Sequence, residues 1–210
     1  EASLDVMRRL GAEVIDLVAP LPDDEFGEAE LEVLLYEFKA GLNAYLAGLG
    51  PSAPVRSLEE IIAFNERNHE FAMPYFGQER MLAAQTKGPL TEETYLKARE
   101  ECLRLSRAEG IDKALAEQKL DAIVAPTTGP AWLIDLVNGD HYSGSCTSPA
   151  AVAGYPHITV PAGFVFGLPV GLSFFASAWQ EPMLIKLAYA FEQASQARQA
   201  PRGLPTVDFM

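Results

Sequence analysis

Apolar positions recur at helical spacing along most of the chain and shorten to strand-length runs after position 120. Leu4, Met7 and Leu10 share one side of a helix ending near position 10, with Gly11 placed as its stop. EVIDL (Glu13–Leu17) then reads as a short strand, and Leu21–Gly27 as a turn-rich acidic loop. Leu31, Leu34, Leu35, Phe38, Leu42, Tyr45, Leu46 and Leu49 predict a long helix that Gly48, Gly50 and Pro51 end. Ser57 and Glu60 form a capping box for a helix running to about Asn68. Thr91 opens another helix, which buries Tyr95, Ala98, Cys102, Leu105, Ile111 and Leu115 and continues past Ala116.

Beyond it the period changes. DAIVA (Asp121–Ala125) is a short apolar strand stopped by Pro126. Thr127–Ser148 is a long loop rich in Gly, Ser and Asn, of a length that is often functional in a packed enzyme. Ser148–Ala153 predicts a short helix, with Pro149 in its first turn and Gly154 at its end. Ile158–Val160, Phe164–Phe166 and Val170–Phe175 read as strands, the last two as a hairpin, with turns at Pro161–Gly163 and Gly167–Pro169. Phe174 and Phe175 point to opposite faces of a strand, so both faces are covered. A final helix starts at Pro182 and buries Leu184, Leu187, Ala188 and Phe191. Residues 201–210 form an irregular tail. Helices alternating with buried strands predict an α/β fold, a sheet covered by helices.

Charge narrows the functional classes. A net charge of −13 disfavours nucleic acid and anionic membrane surfaces, and its simplest role is solubility. From His141 to Gln180 there is no Asp, Glu, Lys or Arg, but Pro149, Gly154, Pro156, Pro161, Gly163, Gly167, Pro169 and Gly171 interrupt the stretch, which excludes a spanning helix. Two cysteines, Cys102 and Cys146, make neither a disulfide framework nor a CxxC pair, which suits a reduced, cytoplasmic protein. The chain lacks a starting Met and opens inside an amphipathic pattern, as a piece of a longer protein would.

No glycine-rich phosphate motif is present, and His69, His141 and His157 lack metal-ligand spacing. No cofactor and no metal are expected. His69 reads as a solvated helix residue and His157 as structural. A serine, histidine and aspartate could be assembled from Ser145, His141 and Asp135, but no GxSxG elbow holds the serine. Cys102 reads as a small core residue. Cys146 stands far in sequence from any Lys or Arg that would favour a thiolate. The long loop supplies the candidate substrate-binding residues: Trp132, Asp135, Tyr142, Ser143, Gly144, Ser145 and Cys146.

DAIVAPTTGPA (Asp121–Ala131), SPAAVAGYPHITVPAGFVFGLPVGLSFF (Ser148–Phe175) and EPMLIKLAYAFEQAS (Glu181–Ser195) resemble successive blocks of the amidase-signature hydrolases. LLYEFKAGLNAYLA (Leu34–Ala47) is similar to the helix that follows the catalytic core of these enzymes. The resemblance implies the C-terminal portion of the amidase-signature fold, a mixed sheet sandwiched by helices. It implies cofactor-free hydrolysis of carboxamide C–N bonds in a small-molecule amide, by a serine, a second serine and a lysine in a Gly/Ser-rich stretch. No such stretch occurs in these 210 residues, and Lys39, Lys87, Lys97, Lys113, Lys119 and Lys186 have no serine partner motif. No catalytic residue is therefore carried over. Residues 1–210 read as the C-terminal part of a single amidase domain whose catalytic half lies upstream. The loop before Thr147 lacks the carboxylate that glutamine-dependent amidotransferases carry there, and resembles the bacterial stand-alone amidases instead. Two rival readings stand beside this one: a non-catalytic module derived from the fold, and a hydrolase using Ser145 or Cys146. A sheet cut from its other half also suggests a homodimer.

Overall fold

The computed structural model describes residues 1–16, 27–201 and 203. They gather into two compact units, one from residues 1–16, 114–135 and 139 onward, the other from residues 27–113 and 136–138.

The first unit is organised by a hairpin. β2 (His157–Val165) and β3 (Leu168–Phe175) pair antiparallel, and β1 (Ile123–Pro126) pairs antiparallel on the other side of β3. The order is therefore β1-β3-β2, with β3 in the middle. The two residues that turn the hairpin, Phe166 and Gly167, both have positive φ (48° and 79°), as the twist-matched type I′ turn requires. The turn thus falls at Phe166–Gly167, and Leu168 and Pro169 already belong to β3. Pro161–Gly163 is not a turn between two strands. It is a bulge inside β2, where the register slips from Pro161↔Gly171 to Gly163↔Val170. Among the described strands β2 lies at the sheet edge, where a proline removes no ladder bond from a second neighbour.

Period-two alternation divides the residues of β3. Leu172 and Phe174 share a face with Val160 and Ile158, and α9 (Glu181–Ser195) packs against these strands. Phe191 of α9 meets Phe174 edge-on at 6.1 Å between centroids. α1 (Ala2–Arg9) packs on α9 in turn and buries Met7. On the opposite face Phe175 is equally buried and stands 5.5 Å from the His157 ring. Both faces are covered at this point, as the paired phenylalanines predict. The expected strand at Glu13–Leu17 does not form over residues 13–16, and Leu17 lies outside the described residues. The acidic loop expected at Leu21–Gly27 lies outside them too, apart from Gly27, which begins a helix. Of the expected tail, only residues 201 and 203 are described.

The second unit is helical. α2 (Gly27–Ala47) packs against α5 (Glu79–Gln85) and α6 (Glu93–Leu103). Leu35, Leu58 and Ala84 form its buried centre, with Leu31, Leu42, Ile62 and Met81 around them. α6 starts at Glu93, two residues later than expected, because residues 89–92 form a turn in which Glu92 N–H donates to the Pro89 carbonyl. From Arg104 to Ile111 the helix widens to π geometry and kinks at Gly110 (φ −106°, ψ −108°); α7 (Asp112–Gln118) follows, and its residues from 114 on belong to the first unit. α4 (His69–Ala72) and α5 are further short helices that no periodicity announces.

Several carboxylates of this acidic chain serve packing. Glu92 accepts from the Tyr36 hydroxyl at 2.5 Å, Glu37 from the Tyr95 hydroxyl at 2.8 Å, and Glu32 from Lys87 at 2.7 Å. The Glu92 contact pushes the Tyr36 phenol up to about 12, so it stays a neutral donor. The serine half of the capping box forms at α3 (Leu58–Arg67), where Ser57 Oγ accepts from Glu60 N–H at 3.1 Å; Glu60 reaches back one residue beyond the cap, to Arg56 N–H at 2.8 Å. A second cap comes from α2, where Asn43 Oδ1 accepts from Leu58 N–H at 2.7 Å. Asn43→Ala removes a cap and a helix–helix tie together. We expect it to cost about 1–2 kcal/mol, read from the urea midpoint, against about 1 kcal/mol for Ser57→Ala.

Candidate functional site

The loop of interest leaves the sheet at the end of β1 and returns to it before α8 (Ser148–Ala153). Its two roots meet at Thr127. The Thr127 amide donates to the Gly171 carbonyl at 2.9 Å, extending the β1–β3 pairing. Its carbonyl accepts from Cys146 N–H at 3.2 Å and from Ser145 Oγ at 3.0 Å. Next to it, Thr128 and Ser145 face each other as an isolated antiparallel bridge, and Thr128 Oγ1 donates to the Gly144 carbonyl at 3.1 Å.

Side-chain hydroxyls continue the pattern across the sheet. Thr127 Oγ1 lies 2.8 Å from Ser173 Oγ on β3 and 2.6 Å from Thr159 Oγ1 on β2. Thr159 Oγ1 also donates to the Leu172 carbonyl at 3.3 Å. Each hydroxyl has one proton to give. The chain therefore runs Ser173 to Thr127 to Thr159 to the Leu172 carbonyl. By the same count Ser145 spends its proton on the Thr127 carbonyl, and accepts from Thr147 through both its hydroxyl (2.8 Å) and its amide (3.2 Å). Ser173 is fully buried, so leaving its hydroxyl unpaired would cost about 1–3 kcal/mol.

Farther out, the loop braces itself with larger groups. Trp132 Nε1 donates to Asp140 at 3.1 Å, and its ring meets Tyr142 edge-on at 6.1 Å. Asp135 stands 3.8 Å from His141 Nε2, and its carbonyl accepts from Gly139 N–H at 3.1 Å. Trp132 and Tyr142 remain exposed, at 38% and 61%. Ser143 lies against Gly129, at a place a β-carbon there would fill.

The seven sequence candidates thus fall into two groups. Gly144, Ser145 and Cys146 belong to the root, strapped to Thr127 and Thr128. Trp132, Asp135 and Tyr142 belong to the outer part, with Asp140 and His141, and Ser143 contacts Gly129. Asp135 and His141 do come together, but Ser145 is engaged with Thr127 and Thr147, its proton committed to a carbonyl. That arrangement orders the loop. Cys102 is buried in α6, and burial pushes its thiol up, away from thiolate chemistry. Among the described residues no group of three or more His, Cys, Asp or Glu is placed to hold a metal ion. None of the helices described is long and apolar enough to cross a membrane.

The residues that the sequence reading passed over are Thr127, Thr159, Ser173 and Gly171. The available signal is their parity. Thr159 and Ser173 are polar positions inside apolar strands, and the hairpin register sets them opposite each other. His157 lies on the same face, half-buried beside Phe175, and burial pushes its imidazole below the usual histidine value of 6.5. The unfolded chain therefore binds more protons at mildly acidic pH. The stability this neutral ring contributes is present above about 6.5 and is lost as pH falls toward the lower folded value. Urea midpoints at pH 7.5 and pH 5 should differ less for His157→Phe than for the natural sequence. An equal drop in both would remove His157 as the cause.

With this fold and loop in view, the comparisons assign the class. The chain belongs to the amidase family, described as Amidase, which it matches over residues 1–185. It is 40% identical over 209 residues to a probable amidase of Arabidopsis thaliana, covering 95% of this chain and 36% of that protein. It superposes on the native peptide amidase of Stenotrophomonas maltophilia with a TM-score of 0.87 and 45% identity, over 96% of this chain and 40% of that one. An amidase family protein of Bacillus anthracis matches with a TM-score of 0.75 and 30% identity, over 96% of this chain and 35% of that one. The chain thus spans well under half the length of the proteins it matches, and its helices and small antiparallel sheet follow theirs.

Proposed function

We propose that residues 1–210 are the C-terminal part of a single amidase domain that hydrolyses carboxamide C–N bonds to a carboxylate and ammonia or an amine. The observation that carries this reading is the likeness, at 45% identity over 96% of the chain, to a peptide amidase. Amides of small peptides are accordingly the substrates to try first. In this reading the serine, second serine and lysine of the reaction lie in the part of the protein outside these residues. The present chain contributes sheet core and one wall of the substrate pocket. Trp132, Asp135, Tyr142, Ser143, Gly144, Ser145 and Cys146 are the proposed wall. Trp132 and Tyr142 offer aromatic surface there, and Asp135 and His141 offer polar contacts. No metal or organic cofactor enters, by the same resemblance.

Exposed apolar side chains on α2 (Leu34, Phe38, Tyr45), and separately at the hairpin (Phe164, Phe166, Leu168), suit burial against the rest of the amidase or a second copy. The two unlinked cysteines fit a cytoplasmic location. The test is ammonia release from a peptide amide by the natural protein that contains this chain, beside the isolated 210-residue chain. Hydrolysis by the former alone supports the reading. Full activity of the isolated chain, abolished by Ser145→Ala, would overturn it in favour of chemistry in this loop.

A further inference from the structure

We infer that Thr127 is a positioning residue, a single clamp that fixes both roots of the 128–146 loop to the sheet and so sets where its substrate-facing side chains stand. This rests on reading that loop as a wall of the amide pocket. Every polar atom of Thr127 is used. Its amide holds Gly171 on β3. Its carbonyl receives two donors from the returning limb, Cys146 N–H and Ser145 Oγ. Its hydroxyl accepts from Ser173 on β3 and donates to Thr159 on β2. One residue therefore joins all three strands to the end of the loop farthest from it in sequence.

The surroundings are fitted to that hydroxyl. Gly171 lies directly beneath it, and a β-carbon there would stand 2.7 Å from Thr127 Oγ1 and 2.8 Å from Thr159 Oγ1. The only residue type that leaves this space open is the one present. Ser173 is fully buried and has its partner in the same hydroxyl. Outward from the clamp, side chains proposed to meet substrate touch one another, Trp132 with Asp140 and Tyr142, and Asp135 with His141. Such contacts keep their internal geometry while the roots help set their placement on the sheet. A shift at the root therefore moves the wall while leaving the reacting serine where it is. The expected signature is weaker substrate binding with a smaller change in the chemical step.

The experiment compares Thr127→Val with Thr127→Ser in the natural full-length protein. Valine keeps the shape and removes the hydroxyl; serine keeps the hydroxyl. Thr127→Val should raise KM for a peptide amide by roughly tenfold, with kcat changed less than about threefold. Thr127→Ser should restore KM to near the natural value. Hydrogen exchange should quicken at amides 129–135 and 139–146 in Thr127→Val, while Leu172–Phe175 stay protected. Natural KM together with natural loop exchange in Thr127→Val would overturn the inference, as would a Thr127→Ser variant as impaired as Thr127→Val. If the natural protein hydrolyses no amide, the functional reading falls, and the exchange comparison alone decides for or against the clamp. Should Thr127→Val fail to fold, Ser173→Ala removes the donor at the other end of the same bond and carries the same readouts.

Discussion

Phe174→Ala should destabilise the sheet unit by about 3–5 kcal/mol, the largest effect expected of any single substitution here. Phe174 is 2% exposed near the C-terminal end of β3, where that strand is paired on both sides, with Val124 and with Ile158. Its ring lies on the face shared with Leu172, Val160 and Ile158, and meets Phe191 from α9 edge-on. Alanine would remove most of a buried ring and leave a cavity that neighbours on three elements cannot close together. The cost therefore combines lost transfer energy with lost contacts. Phe166→Ala is the matched control. In the isolated 210-residue chain that ring is 101% exposed at the hairpin turn, and its removal there should change stability by no more than about 0.5 kcal/mol. Denaturant midpoints for the two variants check the contrast. A loss below about 1.5 kcal/mol for Phe174→Ala would mean that α9 collapses onto the sheet and that the packing is less constrained than it looks.

The contrast between these two phenylalanines also marks what the sequence makes legible. Phe174 and Phe175 are adjacent in a strand, and the period of two sends them to opposite faces, which predicts burial on both without knowledge of what covers them. The helices with long apolar stripes, α2 and α9, are legible for the same reason. The segment around Phe164 is not. Pro161, Ala162 and Gly163 carry turn chemistry, and the strand's position at the edge of the described sheet lets them serve as a bulge instead. Glu13–Asp16 has strand composition but pairs with no strand among the described residues. α5 is seven residues long, too short to show a period.

The site divides along similar lines. Its loop stood out by length and by polar, small residues, and the structure brings Asp135 to His141 and Trp132 to Tyr142 within it. The hydroxyl chain did not stand out. Thr127, Thr159 and Ser173 are common residues 32 and 46 positions apart, and only strand register makes them neighbours. Register is decided by the hairpin turn and the bulge together, and the bulge carries the composition of a turn. The site's anchor was therefore illegible for a reason that lies in the fold and not in the loop.

Gly171→Ala should cost about 1–3 kcal/mol through overpacking alone, although it adds a single methyl group. The new carbon would meet Thr127 Oγ1 at 2.7 Å, Thr159 Oγ1 at 2.8 Å and Thr127 Cβ at 3.3 Å. Those oxygens belong to short side chains held by hydrogen bonds, so neither swings away without breaking the chain from Ser173 to Leu172. If Thr127 yields, the buried Ser173 hydroxyl loses its acceptor, adding about 1–3 kcal/mol. If the β3 backbone yields, the bond from Thr127 N–H to the Gly171 carbonyl lengthens and the loop root moves with it. Both routes end at Thr127, so Gly171→Ala and Thr127→Val disturb one network and their effects should be less than additive. A double-mutant cycle on the denaturant midpoint measures this directly. A coupling within about 0.3 kcal/mol of zero would show that the methyl group is accommodated elsewhere, and that the close approach at Gly171 does not depend on the hydroxyl above it.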